Sequence, residues 1–179
     1  MNSLWGILSI AAQILSVALI IAFLTPKFRD SAFVRFFKER SILIAFIISL
    51  LATIGSLIYS NVIGYAPCEL CWFQRIFMYP QVLLMGMALW RKDMSASAKI
   101  YGAVLSVIGL AIAAVHYLGQ IGLTPMPCSA VGYSVSCAER FVFIFGYITI
   151  PMMAFSAFLL MSVTLIISIW HKQLSTLQQ

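Results

Sequence analysis

The stretch "PCELCWFQRIFMYPQVLLMGMALW", residues 67–90, joins a Cys-x-x-Cys pair directly to an apolar run from Trp72 to Trp90. A hydrocarbon core of ~30 Å needs ~20 apolar residues in a helix that rises ~1.5 Å per residue, and this run is of that order. Pro67 stands just before the pair, so both thiols are predicted at or near a helix N-terminus. Four other stretches have spanning length, at 4–24, 42–62, 100–118 and 146–170. The chain is 63% hydrophobic and 9% charged over 179 residues, with a mean hydropathy of +1.03. Soluble domains carry ~25% charged residues. The fold class that follows is all-α, a polytopic membrane helical bundle with five spans.

The net charge of +6 does not point to nucleic acid, because the positives are few and sit in short segments between apolar runs. They act as orientation signals. Lys27, Arg29, Arg35, Lys38 and Arg40 fall in 25–41, Arg91, Lys92 and Lys99 in 91–99, and Lys172 in the tail. Only Arg75 and Arg140 fall on the other side. The first stretch lacks a basic segment before it and a small-residue cleavage site after it, so it is read as a retained span. The expected topology has the N-terminus outside, the C-terminus cytoplasmic and both cysteine loops outside, where disulfides persist. Segment 25–41, with Phe28, Phe33, Phe36 and Phe37 among its charges, is expected as a partly helical strip on the inner face.

The four cysteines are Cys68, Cys71, Cys128 and Cys137. A helix N-terminus favours a thiolate at the first pair. Arg75 lies one turn beyond Cys71, placed to stabilise a thiolate there or an oxyanion on a ligand; the alternative is an arginine that snorkels to the headgroups. A disulfide across two intervening residues constrains little chain entropy, so the pair reads as redox-active rather than structural. Cys128 and Cys137 flank the polar octet "SAVGYSVS", expected to be an exposed, mobile loop whose disulfide another protein's thiolate can reach, or else a loop staple. A four-cysteine metal site is the remaining option, although Cys-x8-Cys lacks the tight spacing of zinc knuckles. No dinucleotide fingerprint is present, so a lipid-soluble quinone beside Cys71 and Arg75 is the expected electron acceptor. His116, near the outer end of its span, either bonds or relays a proton to that acceptor, or bonds within the bundle.

"CELCWFQR", "HYLGQ" and "CAER", in this order, resemble the DsbB family of membrane thiol:quinone oxidoreductases. The similarity covers about 42–170, and the short second loop with "GYITIPMM" looks most like the BdbC-type branch. In the neighbouring vitamin K epoxide reductases the loop cysteines precede the Cys-x-x-Cys, whereas here they follow it. The resemblance implies a four-helix core at 42–170, an additional N-terminal transmembrane helix with its basic interfacial segment at 1–41, and a cytoplasmic tail at 171–179. It implies that Cys68 and Cys71 are coupled to ubiquinone or menaquinone through Cys71, with Arg75 and His116 at the quinone. Cys128 and Cys137 are implied to oxidise a thioredoxin-fold partner similar to DsbA or BdbD, Cys128 forming the mixed disulfide and Cys137 exchanging with Cys68. The location implied is the bacterial cytoplasmic (inner) membrane. The competing class is a non-enzymatic membrane protein with structural disulfides or a metal site. The span at 4–24 has no counterpart in the family core.

Overall fold

Between lipid-facing surfaces there is little hydrophobic drive to associate, so spanning helices pack where small residues let their backbones approach. The fifth helix of this chain carries such a stripe: Ala98, Gly102, Ala103, Ser106, Gly109 and Ala113 are all buried, and His116 and Gln120 continue it. A Cβ on Gly109 would overlap the Phe158 ring, and one on Gly102 would overlap the end of Met85.

The computed structural model describes residues 2–92, 95–125, 128 and 136–177, with side chains described as far as Trp170. Six helices follow in order: α1 Asn2–Leu24, α2 Ala32–Glu39, α3 Ser41–Leu57, α4 Glu69–Trp90, α5 Ala96–Gln120 and α6 Ile150–Leu177. A π-helical turn, Ile58–Val62, extends α3. There is no strand among the described residues; one isolated bridge, Ile144 to Ile148, closes the turn before α6. Phe145 and Gly146 both have positive φ there, 51° and 77°.

α3 packs on α4, α4 on α5, α5 on α6 and α6 on α3, which closes a four-helix ring. α1 lies outside this ring against α6, with α2 crossing the far end of the bundle. Four helical segments are long and apolar enough to cross a membrane: Asn2–Leu24, Ser41–Val62, Ala96–Gln120 and Ile150–Trp170. α4 matches them in length but carries Glu69, Gln74, Arg75 and Gln81. It turns Gln74, Met78, Gln81, Met85 and Ala88 inward at helical spacing. Buried Gln81 is satisfied: its amide donates to Phe77 O at 2.8 Å, and Ser106 Oγ donates to its oxygen at 2.9 Å.

Pro80 lies inside α4. Pro151 follows Ile150, where α6 starts, so it occupies the first turn, where no intrahelical bond is lost. In α2, Ser31 caps the start through the Val34 amide, Val34 and Phe37 turn inward and Phe33 and Phe36 outward. This is the amphipathic strip expected for segment 25–41.

The bundle has two unlike ends. At one, Ser168 Oγ donates to Lys38 O at 3.0 Å and accepts from Ser41 Oγ at 3.0 Å and Lys99 Nζ at 2.7 Å. This end gathers the basic segments. The start of α4 and the end of α5 lie at the other, with all four cysteines.

Candidate active site

Cys68 is the N-cap residue of α4, its backbone extended (φ −75°, ψ 173°), and its side chain caps nothing. The sulfur is therefore free for chemistry at the positive end of the helix. Cys71 sits in the first turn, its Sγ 2.9 Å from Cys68 Sγ. A disulfide bond is ~2.03–2.05 Å long, and both residues are free thiols here. Glu69, exposed between them, places its negative charge on the first turn of α4, where the helix dipole favours it.

Cys128 and Cys137 form a disulfide with their Cα atoms 5.9 Å apart. That pair was expected to be exposed. Instead Cys128 is 7% and Cys137 1% accessible, and both pack with Cys68 in one cluster that Leu70 and Cys71 flank. The two pairs thus sit side by side at the head of the bundle. Residues 129–135, most of the octet expected to be mobile, lie outside the described residues.

His116 connects the pairs. Its Nε2 is 3.1 Å from Cys137 O and 3.7 Å from Cys68 Sγ. A carbonyl oxygen only accepts, so Nε2 carries the ring proton. Nδ1 then accepts from the Gln74 amide at 3.0 Å. One imidazole N–H therefore faces both the backbone of the second pair and the sulfur of the first. The Cys71 thiol donates to Cys68, and with His116 this outweighs burial, lowering the Cys68 pKa to about 4. Sequence reasoning offered a thiolate at Cys71, or an oxyanion on a ligand, beside Arg75; the side chain that bonds a sulfur of the pair from another helix is His116.

Arg75 does not bond either thiol. Its Nε donates to Ser56 Oγ at 3.0 Å and its terminal nitrogen to Ser56 O at 3.4 Å. Tyr79 donates to the same hydroxyl at 3.0 Å, and the guanidinium lies 5.1 Å from the Trp72 ring centre. It ties α4 to the end of α3. Arg140 and Glu139 act through Gln120: the Arg140 guanidinium donates to Gln120 O, while the Gln120 amide donates to Glu139 O at 3.0 Å and Cys137 O at 3.4 Å. These bonds fasten residues 137–140 over the end of α5.

Beneath the thiols lies a cavity of about 350 Å³ whose lining includes Cys68, Cys71, Arg75 and His116. Its walls are mainly aliphatic and aromatic, and its volume falls in the range of ~300–1,000 Å³ found for small-molecule sites. A stack of Tyr59 on Tyr65 (6.0 Å) and Tyr65 on Phe141 (4.7 Å) stands beside its mouth. Three buried polar atoms on lining residues, Trp5 Nε1, Gln120 Oε1 and Thr149 Oγ1, have no hydrogen-bond partner among the described residues. A buried unsatisfied group costs ~1–3 kcal/mol. A flat, mostly apolar ligand with oxygens at its edge suits such a chamber.

The sulfurs of Cys68 and Cys71 and a His116 ring nitrogen all lie within 4.8 Å of one another, compact enough to share a thiophilic cation. A four-cysteine metal site is a different matter, because Cys128 and Cys137 are spent on each other.

Gln74 and Ser56 were not singled out from sequence. Gln74 had a readable signal, a polar residue six positions after Cys68 on the inward stripe of α4. Ser56 had none, since serines are frequent along α1, α3 and α6.

The family model for "Disulfide bond formation protein DsbB" matches residues 38–170. A "Probable disulfide formation protein" of Oceanobacillus iheyensis is 44% identical over 126 residues, covering 70% of this chain and 86% of that one. "Disulfide bond formation protein C" of Bacillus subtilis is 40% identical over 119 residues, 65% of this chain and 83% of its own. A "Probable disulfide formation protein" of Metapseudomonas resinovorans is 38% identical over 129 residues, 70% and 87% of the two chains. No solved structure matches. With the family match over most of the chain and paired thiols at one end of an apolar helical bundle, this multi-pass membrane protein belongs to the DsbB family and is a protein-disulfide oxidase.

Proposed function

We propose that the protein reoxidises a secreted thioredoxin-fold disulfide donor, similar to DsbA or BdbD, and passes the electrons to a membrane quinone. The observation that carries this reading is the juxtaposition of both cysteine pairs across His116, above an apolar cavity lined by Cys71 and Arg75. In the orientation we infer, the thiol end faces out of the bacterial cytoplasmic membrane and the basic end faces in. Residues 42–170 are the catalytic core, 1–41 an added helix with its interfacial strip, and 171–179 a cytoplasmic tail.

A partner thiolate attacks Cys128, and Cys137 leaves as thiolate; the partner's second thiol then releases Cys128 and becomes part of the partner's disulfide. Cys137 next attacks Cys68 of an oxidised Cys68–Cys71 pair, and Cys71 leaves. Cys128 displaces Cys68 from Cys137, which restores the loop disulfide and leaves the helix pair reduced. The quinone, when bound, supplies the two-electron sink that cysteines cannot provide. Cys68 as thiolate and Cys71 as thiol hold one proton between them, so closing their disulfide against the quinone takes up one more proton from outside. The His116 N–H points toward Cys68 and so supports its thiolate by a hydrogen bond. Arg75, which lines the cavity, would offer positive charge to the oxygens of such a group.

The test is quinone reduction by purified protein given a reduced thioredoxin-fold dithiol protein, comparing wild type with Cys71→Ser and Cys128→Ser. Partner oxidation coupled to quinone loss, and absent from both variants, is expected. Thiol oxidation without quinone consumption would overturn the acceptor assignment.

A further inference from the structure

α1 lies outside residues 38–170, the part that matches the family, yet it is fastened to the active end of the bundle. Ser9 Oγ shares a 2.8 Å hydrogen bond with Ser156 Oγ, and the Gln13 amide donates to the same hydroxyl at 2.9 Å. Tyr147 OH donates to Gln13 Oε1 at 2.9 Å, and Tyr59 OH to Asn2 Oδ1 at 3.3 Å. Gly6 abuts Ile144 and Phe145, so closely that a Cβ there would overlap Ile144. A helix serving only as an anchor has no need of such register.

What this register places is one face of α1 along the cavity. Trp5, Leu8, Ser9, Ala12 and Leu15 line the same chamber as Cys71 and Arg75. The Trp5 ring lies 3.2 Å from the position a Cβ on Gly55 would take, and the next residue, Ser56, holds the Arg75 guanidinium. Trp5 Nε1 is buried without a hydrogen-bond partner among the described residues. Without α1, the cavity would open to lipid between α3 and α6.

We propose that α1 is a wall of the electron-acceptor site and that Trp5 is one of its binding residues, its indole N–H donating to an oxygen of the bound quinone. This rests on the quinone reading above, and the experiment separates the two. The full-length protein is labelled with a photoreactive azido-benzoquinone bearing a decyl tail, with and without unlabelled decyl-benzoquinone as competitor. Trypsin then releases residues 1–27 as one peptide containing all of α1, and 41–75 as another containing α3 and Cys68–Cys71.

Competable label in both peptides is expected. Trp5→Phe keeps the ring and removes the donor, so it should raise the competitor concentration that halves labelling of 41–75 by about 3- to 10-fold, the worth of one hydrogen bond. Ala12→Phe, which fills the cavity, should abolish that labelling, and Ile14→Phe, on the exposed face of the same helix, should leave it unchanged. Label confined to 41–75, with Trp5→Phe and Ala12→Phe both behaving as wild type, would overturn the role of α1 and leave the quinone reading standing. No competable label in any peptide would overturn both.

Discussion

Replacing Cys71 by alanine tests the source of the stabilised sulfur at Cys68. The Cys71 thiol is the largest influence lowering the Cys68 pKa, followed, against burial, by His116. With Cys68 at about 4, its thiolate is nearly complete at pH 7. An ordinary thiol, with a pKa of ~8.5, is only about 3% ionised there. Cys71→Ala removes the donor and should move Cys68 well toward the ordinary value; His116→Phe should move it less. The measurement is thiolate absorbance near 240 nm against pH, with Cys128 and Cys137 both replaced by serine so that no other thiol titrates. A first midpoint near 4 is expected for the intact pair. The sign also fixes the dependence of stability on pH. A depressed thiol pKa stabilises the folded, reduced protein fully above ~8.5, and the contribution declines as pH falls and is gone below about 4. A first midpoint between 8 and 9 in the intact pair, or one still near 4 in Cys71→Ala, would refute the assignment of the thiolate.

Gln74→Leu leaves His116 Nδ1 without its partner, and a loss of about 1 kcal/mol should slow exchange between the two cysteine pairs roughly 5-fold, measured by rapid-quench alkylation. Ser56→Ala deprives Arg75 and Tyr79 of their common acceptor; unfolding followed by tryptophan fluorescence should shift down by about 2–4 °C per kcal/mol lost. Gly109→Leu drives a side chain into the Phe158 ring between α5 and α6, and monodisperse protein should be lost on gel filtration. Cys137→Ser leaves Cys128 without its intramolecular partner, so incubation with an oxidised thioredoxin-fold protein should accumulate a mixed disulfide on Cys128, seen as a mass shift that reductant reverses.

The helices were legible because spanning length and sidedness of charge are carried by composition, which survives without tertiary information. The start of α4 was legible for a similar reason: Pro67 and the onset of the apolar run mark a helix terminus, and Cys68 is its N-cap. The partner of Arg75 was not. Arg75 lies one turn from Cys71 along the chain, but its guanidinium is drawn to Ser56 across the α3–α4 contact, and no periodicity encodes a preference between those partners. Burial of the second disulfide was hidden likewise. "SAVGYSVS" is polar and suggests exposure, but its flanking cysteines are held down by bonds from α5 to 137–140 and by packing against Cys68. The close packing of α1 was hidden because its residues look like those of any lipid-facing span. What sets it apart is the fit of Gly6 and Ser9 against partners more than a hundred positions away.

Burying the second pair has a chemical consequence. Thiol–disulfide exchange needs the attacking sulfur to approach along the S–S axis, so a disulfide packed against Cys68 is within easy reach of its own relay and poorly open to small thiols in solution. Of the two residues, Cys128 is the more accessible. Cys137 is the more deeply held, with its carbonyl gripped by both His116 and Gln120. That difference agrees with the proposed division of the loop pair, Cys128 toward the partner and Cys137 toward Cys68. His116, bonded to the backbone of one pair and beside the sulfur of the other, then senses both. On the proposed relay, attack of Cys137 on Cys68 would carry the acceptor of the His116 N–H with it and leave that N–H to bond sulfur alone.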